Sequence, residues 1–289
     1  MFNLAVFTDD IDQDLERALD VVEELGVKWV EIRSAWGKNL VFHADEQLQE
    51  IAHAIHSRGL RVRCVAAPVF KSRLKGRGEA SKQLFQAEEQ DDPRQQLAMI
   101  RKAARIARLF DTHLVRCFAF WRIGDDPTPI WADLLEQFQP ALKVAEEEAI
   151  VLAMENDFEC NLGSGEQAAR FIEQVGSPHL RLLWDAGNAF FVGETPYPDG
   201  YEASKHLIAH VHVKDAVRDA ETGKPRWVTF GAGEIDMRGQ LRALIEDGYE
   251  GVVTMENHFT PPGGSPEDGV RQSFANLQRL IAEVNRFNG

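Results

Sequence analysis

The feature that most limits how this chain can fold is an alternation. A short apolar run, a polar turn and a stretch with helical spacing recur about eight times along 289 residues. The apolar runs are Leu4-Phe7, Trp29-Ile32, Val62-Ala67, His113-Phe120, Ile150-Glu155, Leu180-Asp185, Ile208-Lys214 and Gly251-Glu256. Each has the length of one strand. Between them lie amphipathic stretches such as Leu97, Ile100, Ala104, Ala107 and Val270, Phe274, Leu277, Ile281, Val284. Their three-and-four spacing turns one apolar stripe toward a sheet. Gly26, Gly59 and Gly248 close helical stretches ahead of strands, where a left-handed cap belongs. Strands joined by such crossovers run parallel.

An open doubly wound sheet and a closed barrel share this rhythm, and the missing glycine-rich fingerprint favours the barrel. The expectation is an α/β chain forming one (β/α)8 TIM barrel over residues 1–289, a length such barrels reach as a single domain. No stretch rich in Pro, Gly or Ser marks a second domain. The charged, weakly periodic segment from Lys71 to Asp92 is assigned to a loop or short helix over the barrel mouth.

Composition narrows the partners. Thirty-two basic against 46 acidic side chains leave a net charge of -14, which repels a phosphate backbone and argues against nucleic acid. No apolar run approaches the roughly 20 residues of a membrane helix. Met1-Phe2-Asn3-Leu4 lacks the basic start and apolar stretch of a leader, so a cytoplasmic location is expected. Cys64, Cys117 and Cys160 have no paired spacing and read as reduced, packed thiols. The outer helix faces look ordinary, which leaves a homo-oligomer open.

In a parallel barrel the chemistry gathers where the strands end. The fifth strand ends in Glu155, the sixth in Asp185 and the eighth in Glu256, while the seventh carries His210 and His212. A carboxylate after an apolar strand is costly when unpaired, and one shared cation accounts for all three. Three oxygen ligands with one imidazole suit Mn²⁺ first, with Mg²⁺, Co²⁺ and Zn²⁺ as alternatives. The two histidines share strand parity; His212 lies nearer the mouth and is taken as the ligand, and His210, a layer deeper, orients it or fills the core. Lys214, of the same parity, belongs at the rim, holding a substrate oxygen or phosphate or standing in solvent.

Arg33 and Arg116 are candidates for a substrate anion or for pairing with nearby acids. Glu31 shares parity with Arg33 and would bind a substrate hydroxyl or that arginine. Trp36 and Trp121 follow the second and fourth strands and would form an apolar wall against a sugar, or pack at the rim.

Several runs make a resemblance specific: Met154-Glu155-Asn156, Trp184-Asp185-Ala186-Gly187-Asn188, His210-Val211-His212-Val213-Lys214-Asp215, Gly231-Ala232-Gly233-Glu234-Ile235-Asp236, Gly248-Tyr249-Glu250-Gly251 and Val253-Thr254-Met255-Glu256. Val115-Arg116-Cys117-Phe118-Ala119-Phe120-Trp121 adds a fourth-strand match. Together they resemble the sugar phosphate isomerase/epimerase superfamily, the xylose isomerase-like barrels that include tagatose and psicose epimerases, hydroxypyruvate isomerase and inosose dehydratase. The resemblance implies Glu155, Asp185, His212 and Glu256 as metal ligands. It also implies proton abstraction beside a carbonyl through an enediolate, for which Glu155 and Glu256 are the candidate catalytic pair. Asn188, Lys214, Arg116, Glu31 and Trp121 are the candidates for holding substrate.

Asn188 stands where the ketose epimerases have a histidine, a departure from their pattern. The expected activity is that of a metal-dependent isomerase or epimerase of a small sugar or polyol. Its alternatives are an inosose-type dehydratase of a keto-polyol and a barrel that binds sugar without turnover. Phosphodiesterases and abasic-site endonucleases share the barrel but use more histidines and a metal cluster.

Overall fold

A computed structural model describes residues 2–79 and 90–287. Eight strands form the barrel: β1 (Asn3–Phe7), β2 (Trp29–Ile32), β3 (Arg61–Val69), β4 (Leu114–Cys117), β5 (Val151–Glu155), β6 (Leu180–Asp185), β7 (Ile208–Val213) and β8 (Val252–Met255). Neighbours in sequence are neighbours in space, and β8 closes the ring against β1 with Val6 opposite Met255. Every barrel pairing is parallel, so all eight C-terminal ends open on one mouth.

The outer layer consists of α1 (Leu15–Glu24), α2 (Asp45–Ser57), α3 (Pro93–Leu109), α4 (Trp131–Glu147), α5 (Gly165–Val175), the short α6 (Ala186–Phe191), α7 (Met237–Glu246) and α8 (Pro266–Phe287). Local chemistry sets their ends. Asp14, Asp92, Ser164 and Asp236 each accept a backbone N–H of the first turn, which removes one of the orphan donors a helix start carries. In α3 the residues Ile100, Ala104 and Ala107 are fully buried, and in α8 the same holds for Val270, Phe274 and Leu277. The apolar stripes thus face the sheet.

Three features depart from the expected rhythm. The apolar run His113-Phe120 pairs only over Leu114–Cys117. Beyond it Phe120 turns to a φ of 59° and stacks on Phe70, with ring centroids 4.6 Å apart, so its apolarity serves packing above the sheet instead of strand pairing. Two antiparallel hairpins project from the mouth: Asp215–Arg218 with Pro225–Val228, and Ser34–Ala35 with Lys38–Asn39. The segment expected over the mouth is described at both ends; Leu74 and Arg77 bridge in a turn there, and residues 80–89 lie outside the described residues. Among the described residues no helix is long and apolar enough to cross a membrane.

Candidate functional site

Each of the four expected ligands sits at or just past a strand end, and the barrel's curvature aims them at one point. Ligand atoms of Glu155, Asp185, His212 and Glu256 all lie within 4.8 Å of one another. All four residues are buried, Asp185 and His212 completely. Strand register accounts for part of this: Asp185 lies directly across from His212, and His212 across from Thr254, two residues before Glu256.

Below them lies a polar layer inside the barrel. Glu31 is fully buried, and its Oε2 accepts hydrogen bonds from His212 Nε2 at 2.9 Å and His210 Nε2 at 2.7 Å. Glu31 was expected at the substrate or on Arg33; it does neither, because the second strand points it at the histidines of the seventh. Donation from Nε2 leaves His212 Nδ1 facing the carboxylates, 3.6 Å from Glu155 Oε1 and 3.8 Å from Glu256 Oε2. That nitrogen is buried without a hydrogen-bond partner. A carboxylate behind a histidine whose other nitrogen meets an acidic cluster is the arrangement that orients an imidazole toward a metal. The donor set therefore fits a divalent cation.

The charges are held by basic side chains from several strands. Lys214 Nζ lies 2.9 Å from Asp185 Oδ2 and 2.5 Å from Glu256 Oε2. Only 4% of its side chain is exposed, so it stands inside the site and not in solvent at the rim. Arg116 Nη1 reaches Glu155 Oε2 at 3.2 Å. Arg33 Nη1 approaches Glu256 Oε1 at 3.4 Å while its other nitrogens bind Asp9 and Asp10. Both guanidiniums lie over the Phe7 ring, that of Arg33 5.1 Å and that of Arg116 5.8 Å from its centroid.

These neighbours shift the protonation of the cluster. Burial and Glu256 push the Glu155 carboxyl up, but Arg116 and His212 override them and hold it at about 2. Burial also opposes the ionised form of Glu256, yet Lys214, His258 and His212 keep it well below the usual range. Asp185 goes the other way: burial, helped by Glu256 and Glu155, raises it to about 6 in spite of Lys214. Burial alone would lower His212, but Glu31 and Glu155 raise it to about 10. His210, by contrast, is lowered chiefly by burial.

The motif residues around the ligands have specific tasks. Asn188 Nδ2 donates to Glu155 Oε1 at 3.0 Å, and its backbone N–H is accepted by Asp185. Asn156 donates to the Asp185 carbonyl and accepts the Asp185 N–H, locking β5 to β6 at the site. Asp215 turns away from Lys214 and accepts the backbone N–H groups of Gly231 and Gly233, both at 2.9 Å. A β-carbon on Gly233 would stand 1.8 Å from Asp215 Oδ1, so only glycine lets the loop close on that carboxylate.

Above the cluster opens a cavity. Arg33, Arg116, Glu155, Asn188, Lys214, Glu256 and Trp121 line it, as do Lys71, Asp157, Phe158, Trp227 and His258, which the sequence reading missed. Asp157 and His258 lie two residues beyond Glu155 and Glu256, the offset that linked His212 to Lys214, so the same step could have found them. Trp227 had no such signal: the hairpin from β7 carries it over the mouth, stacked on Phe191 at 3.8 Å. Trp36, expected beside substrate, is 43% exposed and packs on His43, away from the cavity lining.

Fold and site together define an eight-stranded parallel barrel with an acidic-histidine cluster at its C-terminal mouth. The family model described as xylose isomerase-like TIM barrel matches residues 19–280, and the chain belongs to that family. It is 23% identical over 270 residues to a D-psicose 3-epimerase from Enterocloster bolteae, covering 90% of this chain and 82% of that one. It is 25% identical over 151 residues to an inosose dehydratase from Clostridium tetani, covering 47% of this chain and 50% of the relative. Among solved structures, that of the IOLI protein with a bound zinc atom superposes with a TM-score of 0.77 at 17% identity, covering 98% of this chain and 99% of that one.

Proposed function

We propose that this chain is a divalent-metal-dependent isomerase or epimerase that removes and returns a proton on the carbon next to a carbonyl of a small sugar or polyol. The observation that carries the reading is the convergence of Glu155, Asp185, Glu256 and the partnerless Nδ1 of His212 at the floor of the cavity. Those four residues would hold the cation, with Mn²⁺ the first choice for three hard oxygens and one imidazole. Bound there, it would supply positive charge beside the substrate oxygens as they take on enediolate character.

The chain's own groups do the rest. Glu155 and Glu256 are the acid/base pair, and because both carboxyls are held below the usual range each begins ionised, as a proton acceptor. Asn188 orients Glu155 through Oε1 and Arg116 through Oε2, so that carboxylate has a fixed direction. Arg33, anchored on Asp9 and Asp10, restrains Glu256 in the same way. Lys214 lies between Asp185 and Glu256, where its ammonium would favour negative charge building on a substrate oxygen.

A dehydratase is the second reading, favoured by the inosose dehydratase match and by Asn188 in place of the ketose-epimerase histidine. It would use the same base and then expel a β-hydroxyl. The deciding experiment incubates Mn²⁺-loaded protein with free ketoses, inososes and their phosphates in deuterated water. Solvent deuterium entering the substrate, lost in Glu155→Gln and Glu256→Gln, supports proton abstraction; exchange retained in both variants refutes the assignment. Growth of enone absorbance selects dehydration over isomerisation.

A further inference from the structure

His210 lies a layer below the four candidate ligands and, among the described residues, hydrogen-bonds none of them. It belongs to a polar layer of Glu31, His210, His212 and Thr254, all fully buried inside the barrel. Strand register brings the layer together. Glu31 on β2 lies across from Phe7 on β1, and Thr254 on β8 lies across from His212 on β7, the strand that also carries His210.

Glu31 is suspended from one oxygen. Its Oε2 meets His210 Nε2 at 2.7 Å and His212 Nε2 at 2.9 Å, while Oε1 is buried without a hydrogen-bond partner. A carboxylate oxygen only accepts, so both nitrogens carry a hydrogen. The two rings stand nearly perpendicular, at 83° with centroids 5.2 Å apart, so their N–H groups reach the shared oxygen from different directions. His210 Nε2 also lies 3.2 Å from Thr254 Oγ1, whose lone pairs share the same hydrogen. A buried carboxylate gripped by two donors has one orientation; with one donor it can swing, and the imidazole that depends on it swings too.

We propose that His210 is a positioning residue for the cation: its N–H fixes Glu31, Glu31 fixes the Nε2–H of His212, and His212 Nδ1 is thereby aimed at Glu155 and Glu256. A residue that merely fills the core would need the volume of the imidazole and not its N–H. The inference rests on the reading above in taking the cluster to hold a divalent cation.

Two variants separate these roles. His210→Phe keeps a buried ring and removes the N–H, whereas His210→Gln gives up the ring and keeps a terminal N–H donor. Mn²⁺ titration should show His210→Phe binding about tenfold more weakly than wild type, the low end of what loss of an outer partner costs. His210→Gln should recover most of that affinity, whatever its melting temperature in chelator; a core filler predicts the opposite order. A second measurement needs no variant. In metal-free wild type labelled with 15N-histidine, His210 and His212 should each show a slowly exchanging Nε2 proton. Wild-type Mn²⁺ affinity in His210→Phe, weaker binding by His210→Gln than by His210→Phe, or absence of either Nε2 proton would overturn the role. No Mn²⁺ binding by wild type overturns this role and the metal reading together, whereas binding without deuterium exchange into substrate counts against the catalytic reading alone.

Discussion

Glu31 Oε2 and His212 Nε2, from residues 181 apart in chain order, meet 2.9 Å apart inside the barrel. The contact fixes which imidazole nitrogen carries a proton and leaves Nδ1 toward Glu155 and Glu256. Substituting Glu31→Gln replaces a two-histidine acceptor with an amide that also presents donors. Loss of an outer partner of this kind typically weakens metal binding about 10–100-fold. Mn²⁺ titration of the purified variant reads this directly, and unchanged affinity would remove Glu31 from the metal-orienting role.

The stem of Lys214 packs against Gly187 on its way to the two carboxylates. A β-carbon there would stand 2.6 Å from Lys214 Cγ, 3.0 Å from the Trp227 ring and 3.1 Å from Asp185 Oδ1. Gly187→Ala must displace one of the three, and overpacking of this kind costs about 1–3 kcal/mol. The expected result is a lower melting temperature together with a loss of turnover larger than the stability loss explains. A variant with wild-type turnover would show that the position of Lys214 is not critical.

Lys214 and a divalent cation held by the proposed ligands would draw on the same two acids. Lys214→Met leaves Asp185 and Glu256 without their ammonium, and breaking a buried ion pair costs about 3–5 kcal/mol. The variant should therefore melt well below wild type in chelator and recover most of the difference in excess Mn²⁺. Equal losses with chelator and with Mn²⁺ would contradict that competition.

Mn²⁺ itself should stabilise the wild-type chain. A ligand at 100 times its dissociation constant adds about 2.7 kcal/mol, which for a chain of this size raises the melting temperature on the order of 5 °C. Glu31 and Glu155 hold a proton on His212 up to about pH 10, and a cation at Nδ1 must displace it. Cation affinity should thus rise with pH through neutrality, with proton release visible when the titration is repeated in buffers of different ionisation enthalpy. A melting temperature unchanged by Mn²⁺, or an affinity that does not rise with pH, would argue against cation binding at this cluster.

Much of this molecule is legible one residue at a time. Apolar runs of strand length, helical stripes and their caps identify the repeating unit, because pairing and burial along a strand or helix follow local periods of two and 3.6 residues. The end of each run then marks the mouth, which identifies Glu155, Asp185, His212 and Glu256 from the sequence. What local periodicity does not carry is which strand lies across the barrel from which. Glu31 has the parity of an inward residue, but only closure of the ring puts it under His210 and His212 instead of beside Arg33. Phe118 and Phe120 look like more of the fourth strand, yet they pack above it. Lys71, Asp157 and Trp227 share one cavity although they come from the ends of β3 and β5 and from a hairpin beyond β7. Sequence determined the repeat, the barrel and the residues at its rim; tertiary structure alone decided which of those side chains face one another, since long-range contact is set by ring closure and loop path, and neither leaves a periodic trace in the chain.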